Sequence, residues 1–514
     1  MIKNMGFKEA GEFSQAYVPD TVRNGGVYFD QKGHAEYSVN HQNFRLRVRG
    51  QEQTEVEVST QDIKPIKIHP GKVVPNEIPL SQEITCGLEA EFMILDSDGN
   101  TADLYGGNRV FINGKDRPEI DYSGEHEWLI DTLGVSPEGL RFQAEVNTEP
   151  GRTWEELEYN TLLRLRNVYL ACRKHNLYLL PTGLLGEKLE KDWNNISAHP
   201  YILKIHSHGL RGTALNFDSN TVQAHADLRP FGSSDFGLYA ANIYNNGLAT
   251  LHNAISVSSP FWGGRITNNL SNREFARNKL STVGGVQGDV PVNGNMLLQV
   301  GDQLVRSGKI PVPERAFGSH SDTRPAKLTT GTFEAGSADM TGNVDYWFAQ
   351  AFINRQFLIK IAEHLKNDLP VPPFMEKTDF ETRKGNRWNS AHFGPNFNIK
   401  IANGAIGIRE VWNSFFIWAE PNHVDSDWEK SKDAVLCMLS STKSASYGER
   451  AIEAYFDTNN QDTYLKGNLA EAMLTYAQSL APMKEGKKIR LTNKEVATHF
   501  MNDLHFRLVQ TNLL

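Results

Sequence analysis

Gly87-Leu88-Glu89-Ala90-Glu91-Phe92-Met93-Ile94 alternates between two kinds of residue. Successive side chains of an extended strand point to opposite faces, so Leu88, Ala90, Phe92 and Ile94 fall on one side and Glu89 and Glu91 on the other. Two carboxylates then project together from a strand whose second face is apolar. Phe142-Gln143-Ala144-Glu145-Val146-Asn147 repeats the pattern, with Gln143, Glu145 and Asn147 opposite Phe142, Ala144 and Val146. Val222-Gln223-Ala224-His225-Ala226-Asp227-Leu228 groups Gln223, His225 and Asp227, and Thr332-Phe333-Glu334-Ala335-Gly336 separates Glu334 from Phe333 and Ala335.

An antiparallel sheet commonly packs one face and wets the other, so polar alternation in any single strand is ordinary. Two features distinguish this set. Its outward residues are carboxylates, amides and imidazole with no lysine among them, and its inward positions include small alanines. Clustered glutamates with one histidine suit hard divalent cations, since Mg2+ prefers oxygen ligands and commonly bridges carboxylates to phosphates. A metal would also relieve the repulsion between the carboxylates. Periodicity gives the facing of each strand but not which strands are neighbours, and convergence of all four on one cleft is the expectation.

The rest of the chain frames these strands. Residues 1–75 are polar and Gly-containing, and form an expected appendage with one hairpin signal. There Phe44, Leu46 and Val48 alternate with arginine, and Gly50-Gln51-Glu52-Gln53 precedes Val56 and Val58. Ile63-Lys64-Pro65 and the segment from Pro70 to Pro79 have linker character. A main body is expected over 76–485, with a tail over 486–514 packing on it. Thr153 and Glu156 have capping-box spacing, followed by Leu157, Leu162, Leu165, Val168 and Tyr169 on one helical face. That helix should end near Asn176. Others are expected from Ser234 to Ser256, from Asn343 to about His364, and within 426–480. No fixed period marks a repeat protein.

Composition narrows the partners. The chain has 514 residues, 39% hydrophobic and 22% charged, a globular balance with a sizeable core. A net charge of -8 does not suit a nucleic-acid surface, which needs clustered excess Lys and Arg, so small solutes are the expected partners. Cys86, Cys172 and Cys437 form no C-x-x-C pair and no even framework, which fits a reducing cytosol. The start Met1-Ile2-Lys3-Asn4 opens no apolar export region, and no run of about 18 apolar residues occurs anywhere. A cytoplasmic protein outside the membrane is expected, with homo-oligomerisation left open.

The strands also carry a family resemblance over about residues 80–455. Gly87-Leu88-Glu89-Ala90-Glu91 resembles the opening G-x-E-x-E strand of the glutamate-cysteine ligase and carboxylate-amine ligase family, and Phe142-Gln143-Ala144-Glu145 its second acidic strand. Thr221-Val222-Gln223-Ala224-His225 sits where that family carries a histidine-bearing or equivalent polar strand. Ser258-Ser259-Pro260-Phe261-Trp262-Gly263-Gly264 resembles N-S-P-F-W-x-G, and Ser271-Asn272-Arg273 its S-x-R continuation. Gly331-Thr332-Phe333-Glu334 resembles the later T-x-E strand, and Asn386-Arg387-Trp388 with Ala391 and Gly394 the N-R-W stretch. Two positions depart from the pattern. Gly336 stands where the family usually has arginine, and Ser258 where it has asparagine.

The resemblance implies an α+β, glutamine-synthetase-like fold, in which a curved antiparallel sheet carries helices on its convex face. It further implies ATP and Mg2+ on the concave face. By the same resemblance Glu89, Glu91, Glu145 and Glu334 are Mg2+ ligands, and His225 is a metal or phosphate contact. Gln143 and Arg387 join His225 at the nucleotide, and Glu334 and Arg387 serve catalysis. Arg273 and Trp262 are substrate contacts. The implied reaction joins a small-molecule carboxylate, the side chain of glutamate, to an amine such as cysteine through an acyl phosphate. A nucleotide-binding regulatory protein without turnover and a metal-dependent hydrolase stay open as alternatives.

Overall fold

A computed structural model describes residues 77–107, 129–185, 220–232, 247–262, 269–274, 331–367, 390–396, 404–439 and 493–514, with short strands and single positions between them. The architecture is mixed helix and strand around one antiparallel sheet of seven strands. These are β1 (Cys86–Leu95), β2 (Ser136–Pro137), β3 (Gln143–Asn147), β4 (Tyr178–Leu180), β5 (Val222–Asp227), β6 (Thr323–Lys327) and β7 (Thr332–Ala335). Their order is β6-β7-β5-β1-β3-β2, with β4 beside the far end of β1. Met93 pairs with both Gln143 and Leu180, so β4 takes up the edge of β1 where β5 ends.

All four strands singled out by alternation are therefore contiguous neighbours, and the register fixes which residues meet. His225 lies between Gly87 and Glu334. Glu89 lies between Gln223 and Asn147. Glu91 lies opposite Glu145, which in turn faces Ser136. Because side chains repeat every second residue, these three rows share one face.

The opposite face carries Leu88, Ala90, Phe92, Ala224, Ala226 and Phe333, all buried. Against it packs α3 (Val344–Lys366), which is buried almost all round, as a helix enclosed by core must be. Asn343 caps it, accepting a hydrogen bond from the Tyr346 amide at 3.1 Å. Phe92 meets Trp347 edge-on at 5.9 Å, and Cys86 Sγ donates to the Ala351 carbonyl at 3.7 Å. The small alanines let the helix approach the sheet, and the aromatic rings pack between the two layers.

Helix α1 runs Trp154–Lys174, and the Thr153 hydroxyl accepts from the Glu156 amide. Its capping arrangement is shifted by one residue from the expected box, because Glu156 accepts from the Arg152 amide. Of the span expected from Ser234, Leu248–Ile255 forms α2. Ser426–Met438 forms α5, while residues 440–468 lie outside the described residues. Two helices were not expected: α4 (Ile408–Ala419) and α6 (Asn493–Gln510). Phe500 of α6 packs 5.6 Å from Phe92, which brings the C-terminal segment onto the core of the sheet. Near the amino terminus Asn43–Arg47 pairs with Glu55–Ser59, placing Phe44 opposite Val58 and Leu46 opposite Val56. Among the described residues no helix is long and apolar enough to cross a membrane.

Candidate metal centre

Two groups of ligand atoms form on the polar face. Glu89, His225 and Glu334 each offer one atom within 4.8 Å of the others, and so do Glu91, Glu138 and Glu145. Two ligands on one Mg2+ lie at most about 4.2 Å apart, given metal-oxygen distances of about 2.1 Å, so both groups fit a cation after a small side-chain adjustment. The second group is all oxygen, the donor set Mg2+ prefers; the first mixes carboxylates with one imidazole, which Mn2+ also accepts.

Each group is held from behind. His225 Nδ1 shares a hydrogen bond with Thr332 Oγ1 at 3.0 Å, and its Nε2 lies 3.4 Å from Glu89 Oε1. A ring anchored at Nδ1 presents Nε2 to the cleft, the arrangement expected of an oriented imidazole ligand. Glu91 is 8% exposed and grips the neighbouring strand: Oε2 accepts from the Thr221 amide at 2.6 Å and Oε1 from Gln223 Nε2 at 2.8 Å.

Burial raises the Glu91 carboxyl to about 8, assisted by the charge of Glu138 and opposed by Arg273. Glu145 is likewise held well above the usual carboxylate range, by desolvation first and then by Glu89, Glu138 and Glu91. Like charges crowded together disfavour ionisation, and a bound cation would remove that penalty.

The sequence-selected residues distribute as follows. Glu89, Glu91, Glu145, His225 and Glu334 come together on one face. Gln143 shares the facing of Glu145 on β3 but is 2% exposed, with Nε2 donating to Asn220 Oδ1 at 2.9 Å. Arg273 is 1% exposed: Nη1 donates to Asp339 Oδ1 at 3.1 Å and Nη2 to the Gly336 carbonyl at 3.1 Å. Its guanidinium thus braces the peptide that follows β7. Trp262 lies in a two-residue strand, Phe261–Trp262, paired with Arg265–Ile266. Arg387 lies outside the described residues.

Glu138 is the ligand candidate that sequence reading missed. It follows β2, a two-residue strand containing proline and too short to show a period. Asp227, by contrast, shares the facing of His225 but is committed to Arg229, whose Nη2 donates to Oδ2 at 2.7 Å. It belongs to neither group.

Fold and centre together define an α+β protein with an acidic, cation-fitted sheet face. No family model matches the chain, and no curated protein matches it. Among solved structures it is similar to a glutamate-cysteine ligase from Francisella tularensis in complex with AMP, at 11% identity over 82% of this chain and 93% of the other, with a TM-score of 0.48. It is similar also to a bifunctional glutathione synthetase from Pasteurella multocida, at 16% identity over 78% of this chain, with a TM-score of 0.45. The chain spans about half, 53%, of the latter.

Proposed function

We propose that the chain is an ATP- and Mg2+-dependent ligase joining the side-chain carboxylate of glutamate to an amine through an acyl phosphate. The observation that carries this reading is the pair of cation-fitted groups side by side on one sheet face, Glu89, His225 and Glu334 beside Glu91, Glu138 and Glu145. The motif resemblance of β1, β3 and β7 supplies the reaction class. Mg2+, when bound, neutralises phosphate charge and lowers the cost of moving the phosphoryl group.

The chain's own residues do the positioning. A carboxylate carbon is a poor electrophile and its oxygen a poor leaving group, so the donor has to be activated before an amine can attack it. The two groups, Glu89, His225 and Glu334 and Glu91, Glu138 and Glu145, would hold the cations that neutralise the triphosphate. Thr221 and Gln223 hold Glu91 in place through two hydrogen bonds, and Thr332 orients His225. Preorganisation of this kind spares the rearrangement that water would need. Arg387 and Gln143 serve the nucleotide in this reading, and Arg273 and Trp262 the carboxylate substrate. None of the three cysteines is disulfide-bonded, which suits a cytoplasmic setting.

Gly336 favours a second reading, a nucleotide-binding protein without turnover, since the guanidinium implied by the resemblance is missing there. One experiment separates the two: phosphate release from ATP with Mg2+, glutamate and a pooled amine mixture, with products identified by mass. The ligase reading expects release that requires both glutamate and amine, and a product heavier than glutamate by the amine less water. Nucleotide binding with no release across a broad amine panel would favour the second reading, and amide cleavage without nucleotide would point to a hydrolase.

A further inference from the structure

Gly336 follows β7 two residues after Glu334, and a side chain there would point onto the polar face. A Cβ built at Gly336 would meet only Gln223 Cγ at 3.5 Å and Thr221 Oγ1 at 3.9 Å among the described residues. Both are ordinary van der Waals contacts, and the backbone angle is one that any residue adopts. The glycine is therefore not demanded by close packing or by a left-handed turn. Its effect is to leave a notch in the row that runs from Asn147 through Glu89 to Gln223.

Beside the notch lie two buried polar atoms without hydrogen-bond partners among the described residues. Gln223 and Thr221 are each 9% exposed, and Gln223 Oε1 and Thr221 Oγ1 have no hydrogen-bond partner among the described residues. The orientation of the Gln223 amide follows from its neighbour: Nε2 donates to the Glu91 carboxylate, so Oε1 is directed elsewhere. Buried polar atoms of native proteins are satisfied in the great majority of cases, and those that are not call for a ligand or a water. The floor is rigid, because Arg273 donates to the carbonyls of Gly336 and Ser337 at 3.1 and 3.3 Å.

From this juxtaposition we infer that the notch at Gly336 is a subsite for a primary amine, whose N–H groups donate to Gln223 Oε1 and Thr221 Oγ1. The chemistry selects a donor. An amide oxygen and a hydroxyl lie beside it, the carboxylate of Glu91 is bonded to both of their residues, and Glu334 shares the face two residues earlier. An anionic group would meet an amide oxygen and a carboxylate, whereas a primary ammonium presents three donors. That this nitrogen is the acceptor of the ligation rests on the ligase reading; the binding itself does not.

The test is a ligand-observed NMR titration of the full chain with n-propylammonium in the presence of Mg2+, with tetramethylammonium as a cation of equal charge lacking N–H. Gly336→Ala fills the notch with a group the structure accommodates, Gly336→Met fills it completely, and Thr221→Val removes the hydroxyl while keeping the amide that holds Glu91. The wild type is expected to bind n-propylammonium. Affinity should fall about tenfold or more in Gly336→Met and about threefold to tenfold in Gly336→Ala and Thr221→Val, with tetramethylammonium showing no difference among them. Circular dichroism of each variant checks its fold. Absence of n-propylammonium binding by the wild type, or equal affinity in wild type and a folded Gly336→Ala and Thr221→Val, overturns the inference. The titration needs no turnover, so failure of the phosphate-release screen leaves it standing, and release with unchanged n-propylammonium affinity sinks it alone.

Discussion

On the α3 side of the sheet, buried charge is neutralised where it stands. Arg355 of α3 donates to Asp427 Oδ2 at 3.0 Å and to the Arg152 carbonyl at 2.6 Å, and lies 3.6 Å from Asp425, which ties α3 to the start of α5 and to the approach to α1. Asp427 accepts in addition from the Trp154 amide. On the polar face, carboxylates crowd carboxylates, and Glu91, Glu138 and Glu145 bring oxygens within 4.8 Å of one another while Glu91 and Glu145 resist ionisation. The difference separates architecture from chemistry. A buried acid that meets a guanidinium is complete within the fold; acids that meet each other keep their protons unless a cation from outside compensates them.

The comparison breaks most visibly if the acid face proves structural. Glu89→Gln with Glu91→Gln should lower ATP turnover by about a thousandfold or more, the scale of losing fixed electrostatic groups from a reaction centre. The melting temperature of the metal-free protein should hold or rise, because neither amide can add to the crowded negative charge. Turnover at the wild-type rate would refute the assignment, and a collapse in melting temperature would make these residues part of the scaffold. The mirror experiment is Arg355→Ala, which strands Asp427 and Asp425 and should cost about 3–5 kcal/mol. Denaturant midpoints measure it, and Mg2+ affinity should stay at the wild-type value. A loss under about 1 kcal/mol would show that the pair is solvated instead.

Proton linkage sharpens the same contrast. Glu91 moves from 4.5 to about 8 on folding, and Glu145 moves the same way. Between those values the folded chain holds protons that the unfolded chain has released, so this contribution to stability is full below the unfolded value and is lost as pH rises through the folded one. Without divalent cation the melting temperature should therefore fall from about pH 5 to about pH 8. Added Mg2+ should restore it, and by more at the higher pH, since the cation takes over from the protons. A flat or rising profile without Mg2+ would mean that the carboxylates are already compensated within the protein.

Much of the centre was legible because alternation is a local property. The facing of Glu89, Glu91, Glu145, His225 and Glu334 follows from a period of two, whatever the tertiary fold. What the pattern could not carry was pairing at a distance. Glu138 joins the acids from beside a two-residue strand with no period of its own. Asp227 has the facing of a ligand and is claimed by Arg229 two residues on. Arg273 finds Asp339 across 66 residues, and no spacing rule announces that contact. Helix α4 escaped notice for a related reason: Val411, Trp412, Phe415 and Phe416 are buried, but the segment opens directly from a Gly404–Gly407 strand without the Ser, Thr, Asp or Asn that marks a helix start.

The smallest effect expected is at the helix that lies behind the sheet. Thr153 accepts from the Glu156 amide at 3.2 Å, and nothing else among the described residues takes its hydroxyl's place at the start of α1. Thr153→Ala should cost about 1 kcal/mol, the usual loss of a side-chain cap, visible as a lower denaturant midpoint. Because Trp154 packs against Phe348 and Phe352 of α3, the loss falls on the neutralised side of the sheet. Mg2+ affinity and the pH profile of melting should be unchanged. If removing this one hydroxyl altered either of them, the two faces would be coupled through α3, and the separation between scaffold and chemistry would have to be redrawn along that helix.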